Sequence, residues 1–261
     1  MSPPDSSHRP RPAVVLLHSS MSARSQWAAL MAAHEAHYRF IALDLLGYGK
    51  APFPDETMRA DFSLAHETDA VQAALAAQLG ADEPFHLVGH SYGGATALRL
   101  ARTVPGRIRS LAVFEPVAFH LLDAADPARA EVGAVIAAIE AAATAQDAAR
   151  RFIDYWNGPA AFDALPAPVR ERFTAQVAKV KLDFTALLGE PATLRDMAAI
   201  DIPALVLTGR AGPASTHAVA TRLAAALPRA STRQTPGGHM APITHAADVN
   251  REIINFLQTI A

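Results

Sequence analysis

Five short apolar runs punctuate the chain: Ala13-Val14-Val15-Leu16-Leu17, Phe40-Ile41-Ala42-Leu43, Phe85-His86-Leu87-Val88, Leu111-Ala112-Val113-Phe114 and Ala204-Leu205-Val206-Leu207. Runs that lack polar alternation are expected of strands covered on both faces, as in a parallel sheet. The stretches between them show helical spacing instead. Ser63 is a good N-cap for a segment that puts Leu64, Val71, Leu75 and Leu79 on one face, with Glu67 in the first turn where the helix dipole favours an acid. Val219, Leu223 and Leu227 share a second stripe, and Val249, Ile253, Phe256 and Ile260 a third. Residues 231–235 are a sixth strand candidate. Buried strands alternating with amphipathic helices predict a doubly wound, mainly parallel α/β sheet, whose ligands gather at the carboxyl ends of the strands.

The alternation breaks at residues 117–198, where helical stripes such as Val132, Val135, Ile136, Ile139 and Val169, Phe173, Val177, Val180, Phe184 are punctuated by Pro159, Pro166, Pro168 and Pro191. Two readings are open: extra core helices on the sheet, or a helical insertion lying over the strand ends. So long a gap between strands favours the insertion. The expected organisation is a core of residues 1–116 and 199–261 with a helical lid at 117–198.

At 261 residues, 51% hydrophobic and 18% charged, the chain can bury a large core and is too apolar for disorder. The net charge of -2, from 23 basic and 25 acidic residues without long runs of one sign, favours neither nucleic acid nor an acidic membrane surface. A small-molecule substrate fits better. No cysteine is present, which excludes disulfides, thiolate metal sites and a cysteine nucleophile. Residues 1–12 lack the apolar core of a secretory signal and no later run reaches membrane-spanning length, so a cytoplasmic protein is expected. No cofactor is called for. Gly47-Tyr48-Gly49-Lys50-Ala51 lacks the earlier glycine and the hydroxyl residue of a phosphate loop, and His34 with His37, the only close histidine pair, reads as a solvated helix end rather than a metal site. Oligomeric state leaves no mark on these residues.

The most informative stretch is Gly89-His90-Ser91-Tyr92-Gly93, between a strand run and the small-residue segment beginning Gly94-Ala95-Thr96-Ala97. A strand, a sharp turn and a helix would lift the Ser91 hydroxyl above the sheet edge. A serine hydroxyl is a weak nucleophile at neutral pH, so it needs a base in hydrogen-bond reach and a third group to orient that base.

With Leu17-His18-Ser19-Ser20, Asp44-Leu45-Leu46-Gly47-Tyr48-Gly49, Gly89-His90-Ser91-Tyr92-Gly93-Gly94 and Gly237-Gly238-His239-Met240 in that order, the chain resembles the α/β-hydrolase family from about Ala13 onward. The early first strand implies that the antiparallel strands often opening this family are absent. The resemblance makes Ser91 the nucleophile and His239, in a Gly-Gly-His loop before the last helix, the base. His66, His217 and His245 carry no such signal, and His86 and His90 read as packing or hydrogen-bonding residues. The usual acid site after strand 204–207 holds no carboxylate, since residues 203–247 contain neither Asp nor Glu. An alternative position within the fold, one strand earlier, is filled by Glu115, directly after Leu111-Ala112-Val113-Phe114. Glu115 would need a partner if buried, and an imidazolium supplies one. The competing reading makes Glu115 a substrate or salt-bridge residue beside a serine and histidine pair.

The resemblance also implies an oxyanion hole from the backbone N–H groups of Tyr92 and Ser20, although Ser19 stands where the family often has glycine. A plain turn role for Ser19 and Ser20 is the alternative. Met21, Tyr92, Phe119 and Met240 are candidate pocket residues, with core packing as the competing role, and Asp44 reads as a structural turn. The implied activity is serine-type hydrolysis, through an acyl-enzyme, of an ester, thioester or lactone of a small, largely hydrophobic substrate. Carbon–carbon bond hydrolysis on the same fold, and a non-catalytic small-ligand receptor that keeps the scaffold, are the alternatives. An aspartate at the elbow, as dehalogenases and epoxide hydrolases have, is absent.

Overall fold

Each of the apolar runs becomes a strand; those at 13–17, 85–88, 111–114 and 204–207 are buried on both faces between two helical layers, whereas Phe40 and Ala42 of the second run are only partly buried. In the computed structural model, which describes residues 11–260, the order begins β1 (Ala13–Leu17), α1 (Ala28–His34), β2 (Arg39–Leu43), α2 (Glu56–Ala60), α3 (Leu64–Ala76), β3 (Phe85–His90), α4 (Tyr92–Thr103) and β4 (Ile108–Phe114). It continues with α5 (Pro127–Glu140), α6 (Ala145–Asn157), α7 (Ala167–Leu188), α8 (Leu194–Met197), β5 (Ala204–Gly209), α9 (Ala214–Ala226), β6 (Ala230–Thr235), α10 (Ala241–Thr244) and α11 (Ala246–Gln258). The expectation drawn from residues 1–12 falls almost wholly outside the described residues.

The six strands lie in the order β2-β1-β3-β4-β5-β6, and every pairing among the described residues is parallel. No opening antiparallel pair is present among them. Val14 and Leu16 of β1, with Val88, Phe114 and Leu207, face Trp27, Leu30 and the Val249, Ile253, Ile254 and Leu257 side of α11. Val15 and Leu17, with Leu87, Val113 and Val206, face the layer of α3, α4 and α9. This period of two is what a doubly wound sheet requires. β6 is the polar edge, with Thr232, Arg233 and Gln234 exposed.

Some helical stripes shift. Leu79 and Ile260 lie past the ends of α3 and α11, and α11 turns Ile254 and Leu257 inward more fully than Phe256. Glu67, expected as a dipole-favoured first-turn acid, is fully buried. Residues 117–198 add no strand: α6 packs on both α5 and α7, and α5 also packs on α9. No described helix is long and apolar enough to cross a membrane.

Candidate active site

Ser91 sits between β3 and α4 with φ 54 and ψ -118, a backbone conformation that L residues rarely adopt. Such strain costs on the order of 1–3 kcal/mol and persists only where surroundings over-determine it. They do so here. The Ser91 N–H donates to the Phe114 carbonyl at 3.0 Å, and the Gly93 N–H donates to the His18 carbonyl at 3.1 Å. A side chain at Gly93 would collide with the His18 carbonyl, so the elbow can approach the loop after β1 only with glycine there.

His239 follows β6 and brings its ring to Ser91. The Ser91 hydroxyl donates to Nε2 at 2.9 Å, and Nδ1–H donates to Glu115 Oε2 at 2.8 Å. All three side chains are buried, at 5%, 2% and 0% exposure, so bulk water competes little for these bonds. Glu115 immediately follows β4 and also has positive φ, 39°. Its carboxylate reaches sideways to the end of β5, where Oε1 accepts from the Gly209 N–H at 2.8 Å and Oε2 accepts from the Thr216 hydroxyl at 3.0 Å. The acid thus starts one strand early and delivers its oxygens beside the loop after β5. Gly212 makes room for it, since a Cβ there would overlap the carboxylate.

The loop after β1 and the elbow are neighbours through the Gly93 to His18 bond, which places Ser20 and Tyr92 on adjoining backbone. The Tyr92 N–H, first in α4, has no carbonyl one turn back within that helix. His18 is buried with Nε2 accepting from the Leu45 N–H at 3.0 Å and Nδ1 donating to the Ser19 carbonyl at 2.7 Å; burial lowers its pKa to about 4. His90 is likewise neutral, pushed well below the usual histidine range by burial and by the neighbouring His239, and its Nε2 donates to the His239 carbonyl at 2.9 Å. Asp44 accepts from the Arg24 and Lys50 N–H groups at 2.7 and 3.0 Å, which is turn chemistry.

Other residues at the site were not among the candidates named from the sequence. Trp156, from α6, stacks on the His239 ring with centroids 3.9 Å apart and planes at 27°. Lys179 and Asp183 of α7 are buried within the stripe of Val177, Val180 and Phe184, and Asp183 Oδ2 accepts from the Ser20 hydroxyl at 2.5 Å. Their i, i+4 spacing inside an apolar stripe was the available clue. A cavity of about 490 Å³ adjoins Trp156 and is lined also by Tyr155, Met240, Pro213, Gly238 and Gly158. Of the candidate pocket residues, Met240 lines it, whereas Met21 and Phe119 are buried in the main core. No cluster of metal-binding side chains occurs among the described residues. His217 donates to the Gly209 carbonyl at 2.8 Å, close to Glu115, while His66 caps α3 and His86 bonds Ser110.

A six-stranded parallel sheet with a serine, a histidine and a carboxylate joined at its strand ends defines a class of protein, and this chain belongs to the α/β-hydrolase fold family, whose model matches residues 12–246. Among curated proteins it is similar to the putative carbamate hydrolase RutD of Variovorax paradoxus, 32% identical over 241 residues that cover 87% of this chain and 84% of the relative. It is also 34% identical over 108 residues to the probable lysophospholipase BODYGUARD 1 of Arabidopsis thaliana; that match covers 40% of this chain and only 22% of the relative, so the chain spans less than a quarter of that protein. The crystal structure of the enol-lactonase from Burkholderia xenovorans superposes with a TM-score of 0.76 at 23% identity, covering 97% of this chain and 93% of the enzyme.

Proposed function

We propose that the protein is a serine hydrolase that cleaves an ester, thioester or lactone of a small, largely hydrophobic substrate. The observation that carries the reading is the unbroken line from Ser91 Oγ through the His239 ring to Glu115 Oε2, at 2.9 and 2.8 Å. Ser91 Oγ attacks the carbonyl carbon while His239 Nε2 takes its proton. The N–H groups of Ser20 and Tyr92 hold the oxygen that becomes negative. Collapse of the tetrahedral intermediate expels the alcohol or thiol, which receives the proton from His239, and leaves an acyl group on Ser91. Water, deprotonated by the same nitrogen, then repeats the addition and frees the acid. Glu115 keeps Nδ1 protonated and offsets the imidazolium charge at each transfer.

On the same reading, residues 117–198 form a lid over a core of residues 1–116 and 199–261. The contacts of Trp156 with His239 and of Asp183 with Ser20 support it. Trp156 on the His239 ring and Met240 on the wall of the adjoining cavity favour an apolar group on the substrate. A carbamate, which the RutD name brings in, presents the same kind of carbonyl to Ser91 and belongs in the test panel.

The test is turnover of p-nitrophenyl esters of graded chain length, a thioester, a lactone and an aryl carbamate by the wild type and Ser91→Ala. Turnover of at least one, reduced by roughly 10³ or more in Ser91→Ala, is expected. Failure of the folded wild type on every member, or equal turnover by Ser91→Ala, overturns the proposal.

A further inference from the structure

A second buried polar cluster lies beside the Ser91, His239 and Glu115 line. Lys179 donates through Nζ to Glu67 Oε1 at 2.9 Å and to Asp183 Oδ1. The ammonium also faces the rings of Tyr48, Phe62 and Tyr92, 4.9, 4.8 and 4.7 Å from their centroids. Lys179 and Glu67 are fully buried and Asp183 is nearly so. Every acceptor is taken further: Tyr48 OH donates to Asp183 Oδ2 at 2.6 Å, and the Leu46 N–H donates to Glu67 Oε2 at 3.1 Å.

Buried charge of this kind is a weak source of stability, because apolar side chains of similar volume pack as well without the desolvation cost. Its position is more telling. The Ser20 hydroxyl donates to Asp183 Oδ2 at 2.5 Å, and the Tyr92 hydroxyl donates to Glu67 Oε1 at 3.0 Å. One ammonium therefore holds, through two carboxylates, the side chains of the two residues whose N–H groups form the oxyanion hole in the reading above. We propose that Lys179 is a positioning residue that, through Asp183 and Glu67, fixes the Ser20 and Tyr92 backbone so that both N–H groups converge on one oxygen.

The proposal rests on the serine-hydrolase reading. It answers a difficulty in the sequence: Ser19 stands where a glycine often shapes this loop, and the next residue but one, Met21, has φ 56. An oxyanion hole works only if its donors are already within about 2.7–3.1 Å of the developing charge. A tether from α7 supplies that rigidity to a loop lacking regular structure. Burial opposes the Lys179 charge, but Asp183 and Glu67 more than offset this and hold its pKa above the usual lysine value, so the cation persists at neutral pH.

The experiment compares Lys179→Met, which keeps most of the stem, with the double variant Ser20→Ala, Tyr92→Phe, which cuts both tethers and leaves every buried charge in place. Rates are taken per active site, titrated by the p-nitrophenol burst, and binding is measured for a trifluoromethyl ketone, which adds Ser91 as an oxyanion, and for its methyl ketone counterpart. Positioning predicts a fall in kcat of roughly 10- to 100-fold in both proteins, below the roughly 10²- to 10³-fold known for outright loss of a donor, with KM nearly constant. Trifluoromethyl ketone affinity should fall in parallel and methyl ketone affinity should hold. Adding Lys179→Met to the double variant should then cost less than about two-fold. If Lys179→Met is too unstable to titrate, the double variant alone decides, because it removes no buried charge. A kcat within about two-fold of wild type in the double variant, or a full Lys179→Met effect in its background, overturns the proposal. Failure of the serine-hydrolase reading itself would appear separately, as unaltered turnover in Ser91→Ala.

Discussion

Replacing Glu115 by Gln changes one oxygen to an NH2 group, and the surroundings leave that group nowhere to go. With the amide nitrogen beside Gly209, two donors face each other across the 2.8 Å now spanned by the Gly209 N–H bond. With it beside His239, the clash falls on Nδ1–H, also at 2.8 Å. The second arrangement can relax, because the imidazole can move its proton to Nε2. That relaxation is what disables the site: Nε2 then carries hydrogen and cannot accept the Ser91 proton. By analogy with other triads in which the acid is made an amide, kcat should drop by roughly 10⁴, or about 5 kcal/mol of transition-state stabilisation. A strained or unpaired buried donor should also cost about 1–3 kcal/mol of folding stability. The assay is kcat/KM on a p-nitrophenyl ester from pH 5 to 9, per folded molecule, with urea unfolding alongside. Activity within about ten-fold of wild type would refute the assignment of Glu115 as the group that orients His239.

Gly212→Ala places a methyl group against the Glu115 carboxylate and should lower kcat by roughly 10-fold or more without altering any reacting group, as steady-state kinetics with Glu115→Gln alongside will register. Acid should destabilise the fold through His18, whose pKa in the folded protein is about 4 against 6.5 ordinarily; because the folded value is the lower one, its contribution is present above pH 6.5 and is lost as pH falls toward 4. At pH 5 the loss is about 2 kcal/mol relative to neutral, and urea titrations should find the gap between pH 7 and pH 5 smaller by about that amount in His18→Asn. Trp156 and Trp27 are the only tryptophans, so the emission of a Trp27→Phe variant reports the indole stacked on His239. That emission should change in intensity and maximum when the ring is removed in His239→Ala; a spectrum that stays unchanged would deny the contact.

Much of the architecture could be read from the chain because buried parallel strands leave a plain mark, an apolar run such as Ala13-Val14-Val15-Leu16-Leu17 that no surface strand would tolerate. Strand ends were less legible. β3 runs on through Gly89 and His90, and β5 through Thr208 and Gly209, because pairing with neighbours, not hydrophobicity, decides where a strand stops. Ser91, His239 and Glu115 could be named since each stands at a strand's carboxyl end within a recognisable local pattern, and the fold brings them into one hydrogen-bonded line. Lys179, Asp183 and Glu67 could not. A charged residue on a helix is ordinarily solvated, and only the tertiary meeting of α3, α7 and the loop after β1 supplies their partners. Trp156 was hidden for a similar reason: its place over His239 depends on how α6 crosses the strand ends, which no local spacing encodes.

The central claim is that His239 makes the Ser91 hydroxyl nucleophilic, and covalent trapping addresses it directly. Incubation of the folded protein with a fluorophosphonate, followed by intact-mass and peptide analysis, should give one adduct per chain, located on Ser91, absent in Ser91→Ala and strongly slowed in His239→Ala. Folded protein that stays unmodified, or that is labelled equally well without His239, would contradict the account.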